Sequence, residues 1–234
     1  MHMNTVQEQT TTHEALDRGT LYKSLATSFL YPTQQVADHL TKLHNVDPID
    51  REGLEREYNR LFAHLGSAKC PPYETEYGYD NVFQKTESMA DISGFYNAYG
   101  LEPSENNTER VDFLGSELEF MAFLSFQEAY AREQNDKQHL EICLDSQRMF
   151  IRDHLGRWIG VFNSILKKST ELQPYLEANA KLESFIASEV DRLQVPVNPV
   201  TGPNREQKKG PEPFGCDACV TQADNGSREA NHLP

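Results

Sequence analysis

Residues 108–130, TERVDFLGSELEFMAFLSFQEAY, are the stretch that most constrains how this chain can fold. The stretch holds one Gly and no Pro, so its expected conformation is a single long helix, and Thr108 stands where an N-cap belongs. At about 100° per residue, one side of this helix is predicted to face the core. That side carries Leu114, Leu118, Met121, Ala122 and Ser125.

The opposite side of the same helix combines acidic side chains with large apolar ones. The residues that fall there are Glu109, Asp112, Ser116 and Glu119, with Phe113, Phe120, Phe123 and Leu124 beside them. A helix that is apolar almost all round is buried, or has one side that lines a groove. Carboxylates beside aromatic rings would suit a ligand that is part cationic and part apolar. The alternative is a core helix whose acids reach solvent at its ends.

The charge balance favours cationic partners. Among 234 residues there are 36 acidic and 22 basic side chains, for a net charge of −14. This argues against binding nucleic acid or anionic membranes. No apolar run reaches the roughly 18 residues of a membrane span, and the N-terminus lacks the pattern of a secretory signal. Four Cys are too few for a disulfide scaffold, so a reduced, cytoplasmic protein is expected.

The rest of the chain predicts an all-α fold of seven or eight helices in one domain, residues 13–194. Apolar spacing and helix-end signals place the helices at residues 14–30, 34–43, 51–65, 84–99, 108–130, 136–153, 158–166 and 174–193. Residues 1–12 are expected to be disordered. Residues 195–234 are rich in Pro and poor in apolar periodicity, which predicts a flexible tail.

The sequence offers little for catalysis, a metal or a cofactor. It contains no P-loop, no dinucleotide-binding glycine motif, no HExxH and no Gly-x-Ser-x-Gly, and no two His residues stand three or four apart. Cys216 and Cys219 form a lone CxxC in the tail, and a zinc site needs two further ligands. The expectation is therefore no enzyme, no metal and no cofactor, with metal or redox use of this CxxC as the alternative.

Two further groups of residues stand out before the central helix. Tyr58, Leu61 and Phe62 lie on the apolar face of the helix predicted at residues 51–65, and by themselves indicate core packing. Residues 73–77 form a loop with Tyr73, Glu74, Glu76 and Tyr77. Tyr and acids together in a short loop make a good platform for an arginine.

In combination these residues resemble the TorD/DmsD/NarJ family of redox-enzyme maturation chaperones. The resemblance spans residues 14–190 and rests on Tyr58-x-x-Leu61-Phe62, the Pro-Pro-Tyr-Glu run at residues 71–74 and the acids that follow. The family pattern Glu-Pro-x-Asp-His is met only at Glu109 and Asp112, with Arg110 in place of Pro and Phe113 in place of His. The Pro-Pro-Tyr-Glu loop is most similar to the branch that serves type II dimethyl-sulfoxide-reductase-like molybdoenzymes.

The resemblance implies a cytoplasmic, non-enzymatic chaperone, a monomer or dimer. Its partners would be a molybdopterin-containing catalytic subunit and the twin-arginine leader of that subunit, which it would hold until the cofactor is inserted. The residues expected to contact the leader or client are Tyr73, Glu74, Glu76, Tyr77, Glu109, Asp112, Phe113, Glu119, Phe120 and Phe123. The alternatives are a scaffold protein that binds a folded partner without reading a leader, and a helical enzyme that uses Glu109, Asp112 and Glu119.

Overall fold

The computed structural model describes residues 2–44, 50–63, 68–79, 81–102 and 109–204, without the side chains of residues 2–9 and 44. The helices are α1 (His2–Ser28), α2 (Gln34–His44), α3 (Arg51–Leu61), α4 (Val82–Ala98), α5 (Leu114–Glu133), α6 (Lys137–Phe150), α7 (Gly156–Ser169) and α8 (Gln173–Leu193). A π-helical turn, Ile151–Leu155, joins α6 directly to α7. Within the described residues there is no strand, and the all-α prediction is confirmed.

Helix α5 is central, as its sequence indicated. It packs along α1 on one side and α6 on another. Leu114, Leu118 and Met121 are fully buried, so the predicted register of the core-facing side is confirmed. Gly19 of α1 allows a close approach to α5, because a Cβ atom there would lie 2.6 Å from the ring of Phe126.

The predicted start of the central helix is wrong. Helix α5 begins at Leu114, and Thr108, the expected N-cap, lies outside the described residues. The segment before Leu114 is not helical: residues 111–112 form a turn, Phe113 is extended, and the segment pairs with residues 72–74. Glu74 N donates to Asp112 O (3.0 Å) and Leu114 N donates to Pro72 O (2.9 Å). Glu109 and Asp112 therefore precede the helix and do not share a helical side with Glu119.

The predicted boundary at the N-terminus is also wrong. Helix α1 begins at His2, so the backbone of residues 2–12 is helical where disorder was expected. No Pro or Gly interrupts residues 2–18, and a helix that is anchored further on can extend through such a stretch. Smaller shifts occur elsewhere: α3 ends at Leu61 rather than Leu65, which lies outside the described residues.

Residues 195–204 form a strap that packs against the domain, which corrects the predicted tail boundary at residue 195. Val195, Val197 and Val200 pack against the core, and Val200 N donates to Arg157 O at 3.0 Å. Asn204 then binds the 73–79 loop through Glu76 O (2.9 Å), Thr75 O (2.6 Å) and Tyr79 N (2.7 Å). Residues beyond 204, including Cys216 and Cys219, lie outside the described part of the chain.

Candidate functional site

Tyr58, Leu61 and Phe62, the first elements of the family resemblance, are core residues. All three are buried, and the rings of Tyr58 and Phe62 are 5.1 Å apart. Phe62 also packs edge-on against Tyr175 of α8 at 5.4 Å. Their role in this structure is to fix α3 against α8 rather than to contact a ligand.

Asp112 organises the 73–77 loop from beneath. Its Oδ2 accepts hydrogen bonds from Thr75 N at 3.0 Å and Thr75 Oγ1 at 2.8 Å. These bonds hold a short 3-10 turn, Glu74–Glu76, against the segment that precedes α5. Asp112 is fully buried, so the prediction that it contacts a client directly conflicts with its position.

Arg110 lies against Tyr73 and Glu76, two of the four loop residues expected to form a platform for an arginine, and against Asp112 from outside the loop. Its Nε and Nη2 donate to the two carboxylate oxygens of Asp112 at 2.9 and 2.6 Å, and its Nη1 donates to Glu76 Oε1 at 3.0 Å. The guanidinium carbon lies 4.7 Å from the centre of the Tyr73 ring. Burial alone would lower the pKa of Arg110, but Asp112 and Glu76 outweigh it and the pKa is raised. The acidic, aromatic platform is therefore filled by an arginine of the chain itself.

A groove of about 350 Å³ lies beside this platform, between the end of α4, the segment at residues 109–111 and the start of α5. We call it the α4–α5 groove. Tyr73 links the loop to it, since its hydroxyl donates to Glu109 Oε2 at 2.6 Å. The lining residues are Tyr96, Leu101, Glu102, Glu109, Arg110, Val111, Ser116, Glu119, Phe120 and Phe123.

The groove brings together four of the residues predicted to contact a client. Glu119 is exposed, Glu109 and Phe123 are partly exposed, and Phe120 forms part of the apolar wall. Acidic groups and aromatic rings therefore do line one depression, although on two elements rather than one helix. Glu102, which was not predicted from the sequence, is a third acid in the groove. The available signal was its position just after the end of α4, where the chain turns at Gly100 with a left-handed φ of 66°.

Three other predicted contact residues are buried away from this groove. Phe113 packs beneath Tyr73, with ring centres 5.7 Å apart. Tyr77 stacks on Trp158 at 5.3 Å, and its hydroxyl donates to Pro71 O. Glu74 accepts hydrogen bonds from Tyr79 (2.5 Å) and Ser88 (2.7 Å) inside the domain. These side chains support the loop, and none of them lines the groove.

A buried acidic cluster beneath the loop was not predicted. Glu117 of α5 is fully buried, and its Oε2 accepts from Trp158 Nε1 at 3.1 Å. Burial, together with the nearby negative charges of Glu74 and Asp112, raises the pKa of Glu117 well above its usual value, which favours the protonated form of this carboxyl. The sequence signal was its spacing, since it stands three residues after Leu114 and four before Met121 on the core side.

His154 balances the charge of Glu74 from the π-helical turn. Its Nδ1 lies 3.2 Å from Glu74 Oε2, and its Nε2 lies 3.0 Å from Asp91 Oδ2. Burial alone would lower the pKa of His154, but the hydrogen bonds and charges of the two carboxylates raise it. The two carboxylates thus stabilise the imidazolium form, which can donate to both.

Among the described residues, no group of three or more His, Cys, Asp or Glu side chains could hold a metal ion. None of the helices in that part of the chain is long and apolar enough to cross a membrane. Glu109, Asp112 and Glu119, the acids of the enzyme alternative, do not form one cluster, because Asp112 is enclosed by Arg110 and Thr75.

Comparison with known proteins decides the family. The family model described as the nitrate reductase delta subunit matches residues 23–164, well over half of the chain. The chain belongs to the nitrate reductase delta subunit family. The resemblance to the TorD/DmsD/NarJ chaperones drawn from the sequence is thereby confirmed.

Three curated relatives of the chain are named as assembly chaperone proteins. The chain is 31% identical over 178 residues to the chlorate reductase assembly chaperone protein of Ideonella dechloratans, covering 74% of the chain and 87% of the relative. It is 32% identical over 187 residues to the selenate reductase assembly chaperone protein of Thauera selenatis, covering 77% of the chain and 90% of the relative. A shorter match, 25% identical over 110 residues, is to the perchlorate reductase assembly chaperone protein of Dechloromonas aromatica (strain RCB). It covers 47% of the chain and 48% of the relative. These names describe assembly chaperones and not catalysts, and the chain is accordingly a non-enzymatic member of the family.

Proposed function

We propose that the chain is an assembly chaperone for the catalytic subunit of a molybdopterin-containing oxidoreductase. It binds that subunit before the cofactor is inserted and releases it afterwards. Support comes from the relatives that are named assembly chaperones of chlorate and selenate reductases, because each match spans most of both proteins. The net charge of −14 favours a client surface or segment that is cationic.

We further propose that the α4–α5 groove binds the twin-arginine leader of the client. The observation that carries this proposal is the composition of the groove, where Glu102, Glu109 and Glu119 stand beside Phe120 and Phe123. A twin-arginine leader has two guanidinium groups followed by an apolar segment. Guanidinium groups pair with carboxylates, and an apolar segment would pack on the aromatic side chains. Because such leaders direct export, this step would take place in the cytoplasm.

The proposal is tested by calorimetric titration of a leader peptide with its two Arg residues, and of the same peptide with both replaced by Gln. Glu119→Gln should weaken binding of the Arg peptide roughly tenfold, since a charge-assisted hydrogen bond contributes about 1.5 kcal/mol at the lower end of its range. The same variant should bind the Gln peptide as the parent does. Phe123→Ser should weaken both peptides, because it removes apolar surface that does not distinguish them.

Matched controls lie on the same domain away from the groove. Glu183→Gln removes an exposed helical acid, and Phe83→Ser removes an exposed aromatic ring on α4. Neither should change the affinity for either peptide. If Glu119→Gln and Phe123→Ser behave like these controls, the groove is not the leader site, and a scaffold that binds a folded client without reading its leader becomes the better account.

A further inference from the structure

The platform that holds Arg110 has the features of a complete guanidinium-binding site. Asp112 presents both carboxylate oxygens to two nitrogens of the guanidinium, and Glu76 takes a third. Tyr73 covers one flat face at 4.7 Å. A planar cation bound at its edges by carboxylates and on its face by an aromatic ring is the arrangement that distinguishes arginine from lysine.

This site is open to the groove on one side. The side chain of Arg110 is 28% exposed and lines the α4–α5 groove, whereas Asp112 beneath it is fully buried and Glu76 is 23% exposed. Asp112 also accepts two hydrogen bonds from Thr75, one from its backbone N–H and one from its hydroxyl, and the hydroxyl contacts Arg110 Nη2 as well. The backbone bond holds the carboxylate in place whether or not Arg110 occupies the site.

We propose that Arg110 is an internal ligand that an arginine of the client displaces, and that it sets the affinity of the groove for guanidinium groups. The identity of the client rests on the proposed function, but the guanidinium site does not. Exchange replaces one arginine by another, so the ion pairs that are lost are re-formed with the client. The net preference then comes from the second client arginine and from the apolar contacts. This favours a leader with two arginines and an apolar segment over an arginine-rich segment that has no apolar part.

The site itself is tested without any leader. Arg110→Ala should leave a cavity that binds methylguanidinium, so millimolar methylguanidinium chloride should raise the thermal midpoint of this variant above its value in an equal concentration of sodium chloride. The parent should show no such rise, because its site is filled. Adding Glu76→Gln to Arg110→Ala should reduce the effect. A variant that is folded and does not respond to methylguanidinium overturns the proposal.

The exchange is tested by titrating the leader peptide. If Arg110 fills the site more than nine-tenths of the time, Arg110→Ala should bind the twin-arginine leader at least about tenfold more tightly than the parent. Arg110→Lys, which keeps the charge but cannot form the planar fork, should also bind it more tightly and serves if Arg110→Ala does not fold. Affinity equal to or lower than that of the parent in the folded variants overturns the exchange.

These outcomes separate the two proposals. If Glu119→Gln weakens binding of the Arg peptide and not of the Gln peptide, but the Arg110 variants gain no affinity, the leader site stands and Arg110 has only a structural role. If methylguanidinium stabilises Arg110→Ala while the groove variants bind both peptides as the parent does, the guanidinium site stands and the leader assignment fails.

Discussion

At the scale of single residues, the structure differs most from the sequence prediction at Asp112. This residue was expected to contact a client, but it is buried and holds the 73–77 loop in place. Asp112→Asn keeps an acceptor for Thr75 but removes the charge that faces Arg110, so a partly buried ion pair is broken while Arg110 keeps Glu76 as a partner. We expect the free energy of unfolding, measured by urea denaturation, to fall by about 1.5–3 kcal/mol, the contribution of a hydrogen bond to a charged group.

A matched control for this substitution is the exposed pair of Arg148 and Asp145, which has the same 2.6 Å separation. Solvent screens that pair, so Asp145→Asn should leave the stability nearly unchanged. Equal effects of the two substitutions would contradict the anchoring role of Asp112.

Glu117 gives a prediction about pH. Its pKa is raised in the folded state, so above about pH 4.5 the folded chain holds a proton that the unfolded chain has released. This contribution makes stability fall as pH rises. Glu117→Gln does not titrate and can still accept from Trp158 Nε1, so its stability relative to the parent should increase in urea titrations as the pH rises above about 4.5. Parallel stability curves for the two proteins would show that Glu117 is ionised in both states.

At the scale of elements, the main difference from the sequence prediction is the strap at residues 195–204, which packs against the domain where a flexible tail was expected. Truncation after Leu193 removes its valine packing and the hydrogen bonds of Asn204, and we expect the thermal midpoint to fall by about 5–10 °C. Truncation after Asn204 removes only the part still predicted to be a flexible tail and should leave the midpoint unchanged. If the two truncations have the same midpoint, the strap does not stabilise the domain.

The helices were largely predictable because their signals are local. The spacing of Leu114, Leu118 and Met121 placed the buried side of α5, and Pro174 marked the first turn of α8. The strap was missed because its many prolines resemble a disordered segment, whereas its valines find partners only in the folded domain. Packing against residues far away in sequence decides such a case, and local composition does not report it.

At the scale of the whole molecule, the candidate site was only partly predictable for the same reason. The sequence named the acids and aromatic residues of the groove, but the hydrogen bonds between Thr75 and Asp112 join residues 37 positions apart. That pairing ends the helical register before Leu114 and buries Asp112. It also brings Arg110 onto the platform, a position that stood out in the sequence only as a departure from the family pattern.

The central claim is that the chain acts on a client before its cofactor is inserted. The most direct measurement is the affinity of the immobilised chain for a molybdopterin-oxidoreductase catalytic subunit, leader intact, prepared without its cofactor and with it. We expect the cofactor-free subunit to bind at least about tenfold more tightly than the loaded one, a difference of about 1.4 kcal/mol. Equal affinity for the two forms, or binding to neither, would contradict the account.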